Sequence, residues 1–391
     1  MGVNCSCFSL RRAFGDALNA ERLVNSFALL FFNIMKKLFL SLVATVIATL
    51  SFAQTSLLAT LSHDGTISTF YGTTALKEAL EKADNGDAIT LSAGQFQAAN
   101  ITKAITLRGA GMSINNDSIN SHESTIIQGE FGVNITDSTT SKRLIVEGVY
   151  FTSKLSYKGT IRNPLFMKSR FQSIKIDGEG GTLVNSSFIH CRIANCFDLS
   201  SNSNACLINS VVWDPWNASF TGSNFEFDNC VVCFTTNYSN GPYAAGVTNS
   251  YYKNSVIMVD NYAGSTYKHN AIPYSCAALY CVGYTLGSTL QTSNIFYNLS
   301  SKGSSNKMAS TLTDIFKSAG VNYSDSQNYD LTEAAKAKYL GTDGKEVGIH
   351  GGNLPYEADP TTPQITKCNV AAKSTADGKL SVDIEVKAAE Y

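Results

Sequence analysis

The chain has 391 residues, a formal charge of −1, 44% hydrophobic and 16% charged residues, and 7 prolines. These values exclude a disordered chain, which needs low hydrophobicity and high net charge, and also collagen and coiled coils. Charged residues fall below the about 25% usual in globular proteins, so Ser, Thr, Asn and Tyr must form much of the surface. No basic excess exists to track a phosphate backbone, so nucleic acid is not an expected partner.

Residues 1–34 do not fit a targeting signal. They hold Arg11, Arg12, Asp16, Glu21 and Arg22 before an apolar run, Phe27 to Phe32. They read as a gene-model extension ahead of a start at Met35; one long double hydrophobic anchor is the competing reading. Residues 35–53 have the order of a secretory signal peptide: Lys36-Lys37, an apolar run from Leu38 to Leu50, then Ser51-Phe52-Ala53 before Gln54. The run is short of the about 20 residues a membrane span needs. Cleavage after Ala53 leaves 391 − 53 = 338 residues with no expected membrane span. Their charge is (30 − 5) − (31 − 2) = −4. The expected location is secreted, periplasmic or on the outer cell surface.

Next comes Thr73 to Ala83, with Leu76, Ala79, Leu80 and Ala83 on one helical face. Thr73 or Thr74 can cap its start, and Asn85-Gly86 ends it. An amphipathic helix here would cover the open end of a stack of strands. Strand-like segments follow at 87–91, 93–96 and 105–107.

From residue 147 onward a short polar pair before an apolar anchor recurs. The anchors are Val149, Phe171, Phe188, Val211, Val231, Val256, Ile272 and Ile295, stepping by 22, 17, 23, 20, 25, 16 and 23, a mean of about 21. That period suits one coil of a parallel β-solenoid; helical repeats run to about 33–47 residues with 3.6-residue apolar spacing. Four positions upstream, an inward column is expected at Ile145, Met167, Val184, Leu207, Phe227 and Tyr252. Three upstream, Val146, Lys168, Asn185, Ile208, Asp228 and Lys253 should face outward, because strand side chains alternate. Two upstream stand Asn209, Asn229, Asn254 and Asn270. Asn tolerates the left-handed backbone of a tight bend, so these four are expected as a structural ladder with amides bonded along the axis.

The order ALKEALEKADNGDAITLSAGQF, then ITKAITLRGAG, resembles the start of pectin-lyase-like right-handed parallel β-helix proteins. Within these it is most similar to uncharacterised secreted proteins of Bacteroidetes. The ending, Tyr329 to Thr332 and Gly344 to Gly352, resembles their last coil. The resemblance covers about residues 54–391 and implies an all-β, right-handed parallel β-helix over 54–352 of about 10–11 coils. Residues 353–363, with Pro355, Pro360 and Pro363, read as a linker. In 364–391 a C-terminal β-hairpin is expected. Leu380, Val382, Ile384 and Val386 alternate with polar residues as in a half-buried strand, and Asp377-Gly378 supplies the turn.

Chemistry-bearing groups are sparse. The Asn-Thr-Asp and Asp-Asp expected of galacturonan hydrolases do not occur, and Asp177, Asp198, Asp214, Asp228 and Asp260 are scattered, unlike a lyase calcium site. Asp228 and Lys253 share the outward column on neighbouring coils, about 5 Å apart. A surface ion pair is the ordinary reading. Lys168, Arg170, His190 and Arg192 form the other basic group. The catalytic candidates, if the chain is an enzyme, are Lys168, Arg170, Arg192, Asp228 and Lys253. Cys230 and Cys233 look like a metal or redox pair, but residues three apart on a strand face opposite ways. Stacked core cysteines, a disulfide such as Cys276–Cys281, or a metal site are the readings; no metal is the expectation. Trp213 reads as core or sugar-stacking; Trp216, Tyr238 and Tyr243 are the other glycan-stacking candidates. The expected function is non-catalytic binding of a polysaccharide or cell-surface glycan without cofactor. The alternatives are a polysaccharide lyase or glycoside hydrolase with an atypical site, calcium being possible only for a lyase, and a structural or adhesive surface protein.

Overall fold

The computed structural model describes residues 57–112, 124–136, 141–176, 181–197, 199, 202–214, 224–236, 250–261, 277–286, 305–318, 327–361, 364–370, 378–379 and 381–387. The extension 1–34 and the signal segment 35–53 lie outside the described residues.

The described chain begins with an antiparallel hairpin, β1 (Leu58–His63) and β2 (Thr66–Tyr71). Helix α1 (Ala75–Lys82) follows where expected and buries Ala75, Leu76 and Ala79 against the hairpin and the first parallel strands. Thr74 does not cap a backbone N–H; its hydroxyl donates to Glu78 Oε1 at 2.8 Å. Glu78 in the first turn and Lys82 in the last suit the helix dipole.

The rest of the core is a parallel β-solenoid. One sheet extends β1 through Ala88–Leu91, Thr106–Arg108, Ile145–Glu147, Leu165–Met167, Ser186–Ile189, Ala205–Ile208, Phe225–Asp228, Tyr251–Lys253 and Ala277–Leu279. The other runs through Gly94–Gln97, Thr125–Gln128, Val149–Tyr157, Arg170–Ile176, Arg192–Phe197, Val211–Asp214, Val231–Thr236, Val256–Asn261, Val282–Leu286 and Lys307–Met308. Six regular turns lie between Gly148 and Tyr280, which share one backbone position. Beyond that regular stretch the second sheet continues to ten parallel strands, beside the 10–11 coils expected; Ile272 and Ile295 lie outside the described residues, and the ladder runs on through Val282 and Lys307. Inward aromatics stack from rung to rung: Phe166 on Phe188, centroids 4.8 Å apart, and Phe227 on Tyr252, also 4.8 Å.

Two expected columns need correction. Val211, Val231 and Val256 do stack in register, but they point away from the solenoid interior; Val212, Val232 and Ile257 point in. The doublets Val-Val and Val-Ile arise because this sheet is buried on both faces, which erases the alternation that would show direction. Phe188 belongs to the first sheet, between Phe166 and Leu207. The inward column there is Val146, Phe166, Phe188, Leu207, Phe227 and Tyr252, so Ile145 and Met167 face outward and Val146 inward.

What covers the outer face of the second sheet is the C-terminal part of the chain. Val211, Trp213, Val231, Cys233, Val256, Met258 and Val282 share a second core with Phe316, Tyr329, Leu331, Tyr339, Val347 and Ile349. Helix α2 (Glu333–Lys338) lies in this cover; Thr332 Oγ1 accepts from Ala335 N at 3.1 Å, and Ala335 is buried.

Between the two sheets each turn passes through one left-handed residue: Gly148, Lys168, His190, Asn209, Asn229, Asn254 and Tyr280. Residues 342–361 run back along this ridge as a strap. Thr342 N donates to Asn254 Oδ1 at 2.9 Å. Asn209 Nδ2 donates to Ile349 O and Gly351 O. Farther back, His190 Nε2 meets Leu354 O at 3.0 Å, Lys168 pairs with Glu357 at 3.0 Å, and Thr361 N donates to Glu147 Oε1 at 2.7 Å. Residues 353–361, expected as a linker, are therefore seated on the solenoid. Their prolines suit an extended strap that bonds through isolated groups rather than a sheet ladder.

The left-handed conformation expected for Asn209, Asn229 and Asn254 is present, with φ of 44°, 53° and 50°. Their amides, however, serve the strap and neighbouring acids: Asn229 and Asn254 each donate to Asp228 Oδ1, at 3.1 and 3.4 Å. Asn270 lies outside the described residues. An axial asparagine ladder exists elsewhere, at an exposed corner. Asn204 Nδ2 donates to Asn185 Oδ1 at 2.8 Å, and Asn185 Nδ2 to Asn163 Oδ1 at 3.3 Å.

Directly after the ridge, Ser and Cys alternate from turn to turn: Ser169, Cys191, Ser210, Cys230, Ser255, Cys281. Ser210 Oγ donates to Ile208 O at 2.8 Å and accepts from Cys191 N at 3.0 Å; Ser255 repeats the pattern with Lys253 O and Cys230 N. Each cysteine Sγ faces the same carbonyl two residues back, as Cys230 does Asp228 O at 3.4 Å. Cys191, Cys206, Cys230, Cys233 and Cys281 are in no disulfide. Cys230 lies in the inner core and Cys233 in the outer one, so the pair does face opposite ways.

The hairpin Gln364–Val370 with Val382–Lys387 is antiparallel, pairing Ile365 with Val386 and Val370 with Val382. Val382, Ile384 and Val386 are each more than half exposed, rather than half-buried as expected. Two strands alone have no second layer to cover them.

Candidate functional site

Strand alternation puts every second residue of the first sheet on its outer face, and successive rungs stand about 4.8 Å apart. That face carries Ile145, Leu165, Met167, Ile189 and Ile208, all half-buried. Farther along come Glu226 and Asp228 on one rung and Tyr251 and Lys253 on the next. Register places Tyr251 beside Glu226 and Lys253 beside Asp228. Lys253 Nζ lies 3.2 Å from Asp228 Oδ2, with both side chains about one-third exposed. Burial pushes the Tyr251 phenol above its ordinary pKa, while the Lys253 charge opposes that shift.

Asp228 and Lys253 thus meet as the sequence predicts. Glu226 was missed, although it sits two residues before Asp228 and alternation alone could have found it, as it likewise places Tyr251 two residues before Lys253. Chemically this is a flat strip: aliphatic floor, one aromatic ring, two carboxylates and one ammonium.

The other basic candidates are covered. Lys168, Arg170, His190 and Arg192 are all buried. Arg170 lies over the Tyr150 ring at 4.0 Å. Arg192 donates from Nε to Tyr356 Oη at 2.8 Å and from Nη2 to Gln327 O at 2.9 Å. Desolvation pushes the His190 pKa below its ordinary value. Glu147, also missed, is buried 3.7 Å from Arg108 and receives the strap at Thr361. Lys168, His190, Arg192 and Glu147 fasten strap to ridge, and these buried groups present no open face to a polymer.

Trp213 is 3% exposed beneath the C-terminal cover, so it is not placed to stack on a sugar. Trp216, Tyr238 and Tyr243 lie outside the described residues. Among the described residues no group of three or more His, Cys, Asp or Glu is placed to hold a metal ion, and no helix is long and apolar enough to cross a membrane.

Fold and ridge define a parallel β-solenoid protein with a C-terminal strap. No family model, curated protein or solved structure matches the chain.

Proposed function

We propose that the chain is a secreted or surface-exposed protein that binds polysaccharide along the outer face of its first sheet, without catalysis. The observation that carries this reading is the strip in which Tyr251 and the aliphatic residues adjoin Glu226 and the Asp228–Lys253 pair. A pyranose has an apolar face and a hydroxyl edge; the strip offers a partner for each. The motifs that resemble pectin-lyase-like β-helix proteins agree with such a partner, and the signal-like segment 35–53 agrees with export.

One observation favours a catalytic alternative, a lyase or glycoside hydrolase: four ionisable side chains converge on adjacent rungs. Two features weigh against it. Asp228 occupies Lys253, and a phenol raised by burial is a poorer base at neutral pH.

The test is a panel of acidic and neutral polysaccharides, with and without calcium, offered to the purified full chain. Binding is read by pull-down, and product by unsaturated-uronide absorbance and new reducing ends. Expected are binding without product and a loss of binding of about tenfold or more in Tyr251→Ala. Product on any polysaccharide overturns the non-catalytic reading; no binding on any overturns the function.

A further inference from the structure

A cleft of about 440 Å³ lies at the other end of the molecule, between α1 and the first turns. Its size falls within the roughly 300–1,000 Å³ of small-molecule sites. One wall is the outer face of α1, with Lys77 and Glu81; the opposite wall is Glu130. The floor is the segment from Ala98 to Thr102. We propose that this cleft is a second saccharide site that takes a neutral mono- or disaccharide.

The floor is fixed before any ligand arrives. Ala98 N donates to Gln128 O at 2.9 Å, Ile101 N to Gly132 O at 2.8 Å, and Asn134 N to Ile101 O at 2.8 Å. Ile101 is fully buried, which turns its neighbours Asn100 and Thr102 outward into the cleft. Asn100 lies directly over the Gly132 backbone: a Cβ at Gly132 would stand 2.4 Å from Asn100 Oδ1. A floor pinned by backbone bonds loses little freedom on binding.

The chemistry selects the ligand. Ala98, Ala99 and Leu80 give an apolar patch for the face of a sugar ring. Asn100 supplies an amide and Thr102 a hydroxyl; the carboxylates accept from paired hydroxyls. The charges are compensated where they stand, Lys77 with Glu81 at 3.9 Å and Glu130 with Lys154 at 3.7 Å. A charged ring would have to break one of these pairs to gain a partner, so a neutral ring fits best. The site shares no residue with the Tyr251 face and stands without it.

The full chain is titrated with cellobiose, maltose and lactose, with glucuronate and glucosamine as charged controls, by saturation-transfer NMR and calorimetry. At least one neutral disaccharide binds. Ala99→Trp, which fills the cleft, and Asn100→Leu each weaken it about tenfold or more, while Tyr251→Ala leaves it unchanged. Melting temperature checks that each variant folds; if Ala99→Trp does not, Asn100→Leu decides. No neutral binding, tighter binding of a charged control, or binding that survives the deciding variants overturns the site. Loss in Tyr251→Ala alone would place the sugar on the sheet face and overturn it equally.

Discussion

Asn209 and Ile349 stand 140 residues apart, yet the Asn209 amide donates to the Ile349 carbonyl at 2.7 Å and to Gly351 O at 2.9 Å, both in the buried ridge. One side chain thus does two jobs: its backbone makes the left-handed turn at φ 44°, and its amide holds the strap. The two contributions can be separated. Asn209→Gly keeps the turn and loses the amide; two buried carbonyls lose their donor, at a cost of about 1–3 kcal/mol. Asn209→Ala adds backbone strain of roughly 1 kcal/mol more. Denaturant midpoints should rank wild type, Gly variant, Ala variant. Equal stability of Asn209→Gly and wild type would show that the strap bonds contribute nothing.

The strap reaches its seat only because Gly351 and Gly352 have no side chains. A Cβ at Gly351 would lie 1.7 Å from Glu346 O, and one at Gly352 2.5 Å from Asn229 Nδ2. Gly352 also has φ 74°. Gly351→Ala should therefore unseat the strap locally rather than be absorbed by a flexible neighbour. The expected result is a drop of several degrees in melting temperature and faster protease cleavage between 340 and 361. Cleavage at the wild-type rate would refute the packed strap.

How much of this was written in the sequence follows from which residues face one environment only. The repeat, the helix α1 and the parallel strands were legible because Phe166, Phe188, Leu207 and Phe227 fill one interior. The left-handed position was legible at Asn209, Asn229 and Asn254 but not at Lys168, His190 and Tyr280, since that conformation is disfavoured in such residues, not forbidden. The Ser/Cys alternation was visible as letters, yet the cysteines were read as a stack without the serines between them. The strap had no periodic signal, because it binds through carbonyls and single side chains. At the candidate site alternation gave Asp228 and Lys253. It did not give the covered state of Lys168 and Arg192, which depends on chain more than a hundred residues away.

The Ser/Cys column makes a sharp contrast between two small substitutions. Ser210→Ala removes the acceptor for Cys191 N in a fully buried turn and should cost about 1–3 kcal/mol. Cys230→Ser puts a hydroxyl where Ser210 and Ser255 already have one, facing Leu207 O and Asp228 O, and should change stability by less than about 1 kcal/mol. Chemical unfolding with unchanged slopes would measure both. The reverse order would mean that sulfur packing, not hydrogen bonding, governs the column.

The same column predicts which thiols react. Burial pushes Cys191 and Cys281 up to about 12 and raises Cys230 as well, so at pH 8 almost no thiolate exists there. Cys206 is half-buried on the outer face, raised to about 11 by burial and then by Glu226 and Asp228. Iodoacetamide on the native protein, read by peptide mass spectrometry, should modify Cys206 slowly and before Cys191, Cys230 and Cys281. Glu226→Gln should speed that reaction. Early modification of Cys230 would contradict its burial.

A pH dependence resides in the first hairpin. His63 Nδ1 lies 2.9 Å from Asp87 Oδ2, and Asp87 also accepts from Asp84 N at 2.7 Å where α1 gives way to the first parallel strand. The hydrogen bond to Asp87, and then its charge, raise the His63 pKa above 6.5. Because the folded value is the higher one, this link stabilises fully below the unfolded pKa and is lost as pH rises through the raised folded value. The hairpin should therefore be held better at pH 6 than at pH 8. Asp87→Asn should bring the His63 titration, followed by NMR of the ring protons, back toward the ordinary value. It should also flatten the pH dependence of amide protection over residues 58–71. A His63 titration unmoved by that substitution would sever the link between Asp87 and the hairpin.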